Sequence, residues 1–191
     1  MKSVEIKGSK RAETGKKESK KLRNESLVPC VLYGGDEPIH FQAPAAEFRK
    51  IIYTANVYLI DLNIDGEIYK AIMQDIQFHP IEEQVLHCDF LKISDDKPLK
   101  IEIPVEVTGY AKGERAGGKK KINLRRLKVK ALAKDIPDAI IINVEDLDLG
   151  QSIKVGQLKY DNLEFLNSKS IPVVSIVVTR AARAAMSSDN K

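Results

Sequence analysis

Apolar and polar residues alternate along most of the chain, a pattern that predicts strands far more often than helices. Val4-Glu5-Ile6-Lys7 alternates briefly and predicts an opening strand. Residues 28–33 form a second run, stopped by Gly34-Gly35, where a positive φ costs little. Residues 57–64 and 67–73 flank Asp65-Gly66, a pair suited to the two left-handed positions of a tight hairpin turn. A further strand runs on to about His79 and is ended by Pro80, and residues 84–91 return. Residues 44–52 break the pattern. Pro44 fits a first helical turn and Phe48, Ile51 and Ile52 share one side, so a short helix is expected there.

The segment Arg11 to Arg23 has almost nothing apolar to bury and predicts a loop leading into a short helix. Ser94-Asp95-Asp96-Lys97-Pro98 is polar and turn-rich, and it predicts a domain boundary. Beyond it, residues 99–108 alternate well. Gly113-Glu114-Arg115-Ala116-Gly117-Gly118-Lys119 then suggests a flexible basic loop. Residues 124–133 set Leu127, Val129 and Ala131 against Lys128 and Lys130. Short β-branched strands are expected at 140–144 and 172–178, and a disordered tail from Ala181. The fold expected is mainly β: one strand-rich domain over 1–93 with short helices, a second over 98–180, and a tail over 181–191.

Composition narrows this picture. An apolar fraction of 43% over 191 residues belongs to a folded chain. No run approaches the roughly 20 apolar residues of a membrane span, and Met1-Lys2-Ser3-Val4-Glu5 lacks a secretory core. Cys30 and Cys88 stand unclustered among strand residues, which suits reduced thiols and a cytoplasmic address. Charge is segregated. Residues 1–23 carry nine Lys/Arg against three Glu, residues 24–93 four against eleven acids, and residues 97–134 twelve against three. A single basic run is usually a solvated face, but two around an acidic middle point to a polyanionic partner.

Enzyme signatures are absent. No Gly cluster lies between a strand and a long helix at phosphate-loop spacing; the one at 113–119 lacks the following Ser/Thr and helix. Ser19 and Cys88 have no identifiable activating neighbour. His79, His87 and Cys88 lack the second ligand pair of a structural zinc site, so no metal and no cofactor are expected. The informative pattern is facial. In Leu86-His87-Cys88-Asp89-Phe90, alternation sends Leu86, Cys88 and Phe90 toward the core and His87 and Asp89 to the open face. Ile76 and Phe78 likewise oppose Asp75, Gln77 and His79. Paired through a turn at 80–83, these residues are either scattered solvated groups or a platform of donors and acceptors for RNA base edges and 2′-hydroxyls.

Four motifs in order carry a resemblance: the basic run 11–23, Pro29-Cys30-Val31-Leu32-Tyr33-Gly34-Gly35, Gln74-Asp75-Ile76-Gln77-Phe78-His79-Pro80 and His87-Cys88-Asp89-Phe90. The chain resembles the bacterial large-subunit ribosomal proteins that bind 5S rRNA, in particular their longer two-domain members, the general stress protein CTC family. Ile103-Pro104-Val105, Ala116-Gly117-Gly118, Asp135-Ile136-Pro137 and Gly150-Gln151-Ser152-Ile153-Lys154-Val155 extend the likeness over about residues 4–178. It implies an N-terminal β-barrel on the irregular internal-loop helix of 5S rRNA in the central protuberance, followed by a β-rich C-terminal domain. It also implies RNA contacts from Arg11, Lys16, Ser19, Lys20, Lys21, Arg23, Gln74, His87 and Asp89. Two departures stand out. Lys20-Lys21 replaces a common arginine pair, keeping charge but losing planar bidentate contacts. Gln74 falls on the apolar side by alternation, so its contact requires a bulged strand.

The expectation is therefore a non-enzymatic constituent of the large ribosomal subunit, with 5S rRNA, other rRNA and ribosomal proteins as partners and neither membrane nor small-molecule substrate. Lysines and arginines would neutralise phosphates while Gln74, Gln77, His79, His87 and Asp89 read shape and edges. Two other classes compete. An anticodon-binding β-barrel module would share the fold, but the catalytic domain it accompanies is missing. An extraribosomal stress-related RNA-binding or interaction protein would use the second basic block instead.

Overall fold

The structure is a computed structural model that describes residues 2–35, 37–54, 56–94, 97–180 and 182–183. Contacts divide the chain into two compact units, Met1–Leu99 and Lys100–Lys191.

In the first unit, β1 (Lys2–Lys10), β2 (Leu27–Tyr33), β3 (Ile39–Pro44), β4 (Tyr58–Ile64), β5 (Glu67–Phe78) and β6 (Val85–Lys92) form a closed barrel. The strand order is β1-β3-β2-β6-β5-β4, and parallel pairing of β1 with β4 from Lys2↔Tyr58 to Gly8↔Ile64 closes it. Closure leaves no free edge to recruit a stray strand. Two helices interrupt the sequence, α1 (Lys16–Asn24) and α2 (Ala45–Ile52).

The inward residues of each strand fill the barrel, with Ile6, Cys30, Phe41, Leu62, Cys88 and Phe90 among those almost fully buried. Helix α2 adds Phe48 and Ile51. Phe90 is the hub, with ring centroids 5.6 Å from Phe41 and 6.3 Å from Phe48. Cys30 and Cys88 are free, buried and in register across the parallel β2–β6 pair. Burial, reinforced by Cys88, pushes the Cys30 thiol well above the ordinary thiol range, leaving it an inert packing group.

The hairpin turn forms as its residues require, with φ of 51° at Asp65 and 93° at Gly66. The strands expected at 67–73 and up to His79 are one strand, β5. Strand β3 was not expected, because Ile39 to Ala43 is too short a run to stand out.

In the second unit, β7 (Leu99–Thr108) is followed by α3 (Lys112–Arg115), β8 (Lys119–Ile122), β9 (Arg126–Ala131), β10 (Ile140–Asn143), β11 (Ser152–Lys154), β12 (Glu164–Phe165) and β13 (Pro172–Val177). They make a four-stranded sheet, β10-β7-β9-β12, and a three-stranded one, β11-β13-β8. Ile103, Leu127, Val129, Ile140 and Ile176 are buried there. The flexible loop expected at 113–119 is instead a helical turn packed tightly against its surroundings. A Cβ at Gly113 would meet the Leu149 nitrogen at 2.6 Å, so glycine serves close packing there, not mobility.

Of the tail expected from Ala181, only Ala182 and Arg183 are described; the rest lies outside the described residues. Ala182 is buried and the Arg183 N–H donates to the Thr179 carbonyl at 3.0 Å, so these two residues are not the loose end expected.

Candidate nucleic-acid interface

Helix α1 begins after Gly15, where the Ser19 N–H donates to the Gly15 carbonyl at 3.0 Å. Leu22 is its buried residue, so the 3.6-residue repeat turns Lys16, Lys20 and Lys21 outward. All three are exposed, and none has an ion-pair partner among the described residues. The arginines and the serine do another job. Arg11 is half-buried; its backbone N–H donates to the His40 carbonyl at 3.0 Å and its Nη2 donates to Ser19 Oγ at 3.3 Å. Arg23 Nε donates to the Leu86 carbonyl at 3.1 Å. The two arginines thus brace α1 against β3 and β6, and the second brace lies one residue from His87.

Strands β5 and β6 supply the face beside that brace. Their register sets Gln77 opposite His87 and Asp75 opposite Asp89, so these four side chains share the outer surface. Between Met73 and Asp75 the register slips by one residue, leaving Gln74 as the extra residue of a bulge. The bulge settles the position that alternation got wrong: Gln74 is exposed alongside Asp75, while Met73 and Ile76 pack on the core. A second slip, between Gln77 and Phe78, corrects another expectation. Phe78 does not join the core but stands 43% exposed. His79 lies beyond β5, in the turn that leads to β6, where its backbone N–H donates to the Gln84 carbonyl at 2.8 Å. Its Nδ1 accepts hydrogen bonds from the backbone N–H groups of Glu82 at 3.1 Å and Ile81 at 3.4 Å.

His87 Nδ1 lies 2.8 Å from Asp89 Oδ1, each side chain about one-third exposed at 29% and 31%. A carboxylate only accepts, so the bond puts a proton on Nδ1 and leaves Nε2 turned to other partners. Asp75 Oδ1 accepts the Ile76 N–H at 2.9 Å, which occupies the carboxylate facing Asp89 across the strands. One contributor escaped the sequence reading. Burial, with Asp89 and Asp75 adding to it, raises the Tyr33 phenol, which keeps it a protonated donor at the same face. The parallel β2–β6 register, Tyr33↔Leu91 and Val31↔Asp89, brings it there, and no local pattern in the sequence announces that pairing.

The resulting surface has two parts. Uncompensated ammonium groups on α1 suit phosphates. Amides, an imidazole, a phenol and a hydrogen-bonded carboxylate on β5, β6 and β2 suit base edges and ribose hydroxyls. Among the described residues no group of three His, Cys, Asp or Glu side chains converges as a metal site would. Among those residues, too, no helix is long and apolar enough to cross a membrane.

Comparison with known proteins agrees with the organisation into two units. Residues 6–90 match the model of the ribosomal L25p family, and residues 98–180 match that of the ribosomal protein TL5 C-terminal domain. The large ribosomal subunit protein bL25 of Phocaeicola vulgatus is 48% identical, covering 100% of both chains. The bL25 protein of Azobacteroides pseudotrichonymphae is 48% identical over 98% of this chain and 100% of its own. That of Cytophaga hutchinsonii is 47% identical over 96% of this chain and 95% of its own. With the barrel, the second β unit and full-length relatives in agreement, the chain belongs to the bL25 family of large ribosomal subunit proteins.

Proposed function

We propose that the protein is a structural constituent of the bacterial large ribosomal subunit, in the cytoplasm, where its barrel binds 5S rRNA in the central protuberance. Ribosomal-protein family membership makes it a non-enzymatic component. The observation that carries the RNA reading is the Arg23–Leu86 brace, which joins the unpaired lysines of α1 to the His87–Asp89 face. Regular A-form RNA hides its base edges in a deep, narrow major groove, whereas an irregular internal loop widens the grooves and exposes them. Lysines on flanking phosphates would set affinity and register, and the strand face would choose the loop.

Replacing Lys20 and Lys21 with Ala should weaken binding to structured RNAs in general. It should flatten the slope of log affinity against log salt by about 1 to 2 units, because each phosphate contact releases roughly one counterion. An unchanged slope would make these lysines part of a solvated helix face.

Assignment of RNA binding to residues 1–93 leads to a second expectation. The last barrel hydrogen bond, from the Ile93 N–H to the Lys70 carbonyl at 2.9 Å, lies within a fragment ending at Ile93. That fragment should fold and keep most of the affinity of the full chain for a 5S rRNA transcript in filter binding. A folded fragment that had lost nearly all affinity would move the site into the second unit. For the ribosomal assignment itself, sucrose-gradient sedimentation should show one copy travelling with each large subunit; a protein found only in the soluble fraction would overturn it.

A further inference from the structure

The second basic block is sorted by strand geometry. Lys119, Lys120 and Lys121 follow one another on β8, the edge strand of the three-stranded sheet, so alternation sends Lys120 one way and its neighbours the other. Lys120 Nζ lies 3.6 Å from Glu114 Oε2, and its charge is answered there. Lys119 and Lys121 are exposed and have no ion-pair partner among the described residues. Register then says what shares their face. Lys121 lies opposite Ser175 on β13, Ser175 lies opposite Ser152 on β11, and Asn123 Nδ2 donates to Ser175 Oγ at 3.0 Å. Lys119 lies opposite Val177, which is exposed.

This is an open sheet face bearing two ammonium groups, two hydroxyls and an amide, with no acid among them. An edge strand often carries lysines merely to discourage stray pairing. That role asks nothing of the neighbouring strands, yet here hydroxyls and an amide continue the polar surface across β13 and β11. A protein partner would call for aromatic or aliphatic anchors, and Val177 is the one apolar side chain in the group. Phosphates and ribose hydroxyls call for Lys, Ser and Asn.

We infer that the outer face of the β11-β13-β8 sheet is a second RNA contact, holding the ribose-phosphate backbone through Lys119 and Lys121 with Ser175, Ser152 and Asn123 beside them. The contact is made to large-subunit RNA other than that held by the barrel, so each unit grips RNA through its own site. It reads backbone, not sequence, since the face offers no stacked aromatic ring.

The test uses the full chain and two probes, protein-free high-molecular-weight rRNA of the large subunit and a 5S rRNA transcript. Lys119→Ala with Lys121→Ala should weaken binding to the first and flatten its salt slope by about 1 to 2 units, leaving 5S rRNA binding unchanged. The double arginine variant should restore the slope. Lys112→Ala with Lys134→Ala removes the same charge from the same unit and should have the smaller effect. Equal losses from both alanine pairs would reduce the effect to net charge and overturn the inference. So would an unchanged slope, or a loss seen with intact subunits but not with protein-free rRNA, which would assign the face to a protein. If the wild-type chain fails to bind 5S rRNA at all, the barrel assignment falls while the β8 comparison still stands or falls by itself.

Discussion

Phe90→Ala is expected to destabilise the barrel by about 3–5 kcal/mol, the usual cost of truncating a large buried aromatic side chain. The ring has 0% exposure and stands between Phe41 from β3 and Phe48 from α2. Its removal deletes two aromatic contacts at once and opens a cavity walled by β-strands, which relax little because closure fixes their spacing. Folding stabilities run at about 5–15 kcal/mol, so the loss takes a large share of what the unit has. Urea unfolding followed by circular dichroism should show a lower midpoint with the cooperative transition intact. Phe90 also lies on β6 next to Asp89, so RNA binding should weaken as the folded fraction falls. A midpoint shift worth less than about 1 kcal/mol would mean that the neighbours fill the space and that Phe90 is not the hub of the core.

Much of the fold was legible because strand alternation is a local property. The expected range 99–108 coincides with β7, and the Asp65-Gly66 turn is where its dihedral needs put it. What was missed was short or long-range. Strands β8, β11 and β12 span four, three and two residues, too few for a period of two to register. Both errors at the candidate site came from bulges. Alternation counts residues: the extra residue at Gln74 turns it outward beside Asp75 while Ile76 and Gln77 keep their expected sides, and a second slip, with Leu86 the extra residue of β6, leaves Phe78 exposed. Bulges answer to the strain of a closed, twisted sheet, which no stretch of β5 read alone reveals. Tyr33 illustrates the other limit. Its place beside Asp89 follows from a parallel pairing of β2 with β6, strands more than fifty residues apart in the chain. By contrast, His87 and Asp89 needed only their own strand, and they were read correctly as neighbours on one face.

The second large effect concerns that pair. Asp89 brings a negative charge to a surface meant for a polyanion, so its value must lie in hydrogen bonding. His87 makes this tolerable: the 2.8 Å bond from Nδ1 occupies one carboxylate oxygen, and the other is left to accept from a base amino group or a 2′-hydroxyl. His87 Nε2 offers a further contact fixed in orientation by the same bond. His87→Ala and Asp89→Asn should therefore each cost about 1–3 kcal/mol in binding the internal loop, on the scale of direct base readout. Asp89→Asn keeps the shape and one acceptor but loses the anionic partner of His87, so its loss should be the smaller.

The most direct measurement titrates wild type and both variants, at one salt concentration, against the 5S rRNA internal-loop helix and against a fully Watson–Crick-paired helix of equal length. Losses confined to the internal-loop RNA are predicted, with binding to the paired helix unchanged or slightly improved for Asp89→Asn, which removes a negative charge. Equal losses on both RNAs, or none on either, would contradict the claim that the β5–β6 face reads the irregular loop.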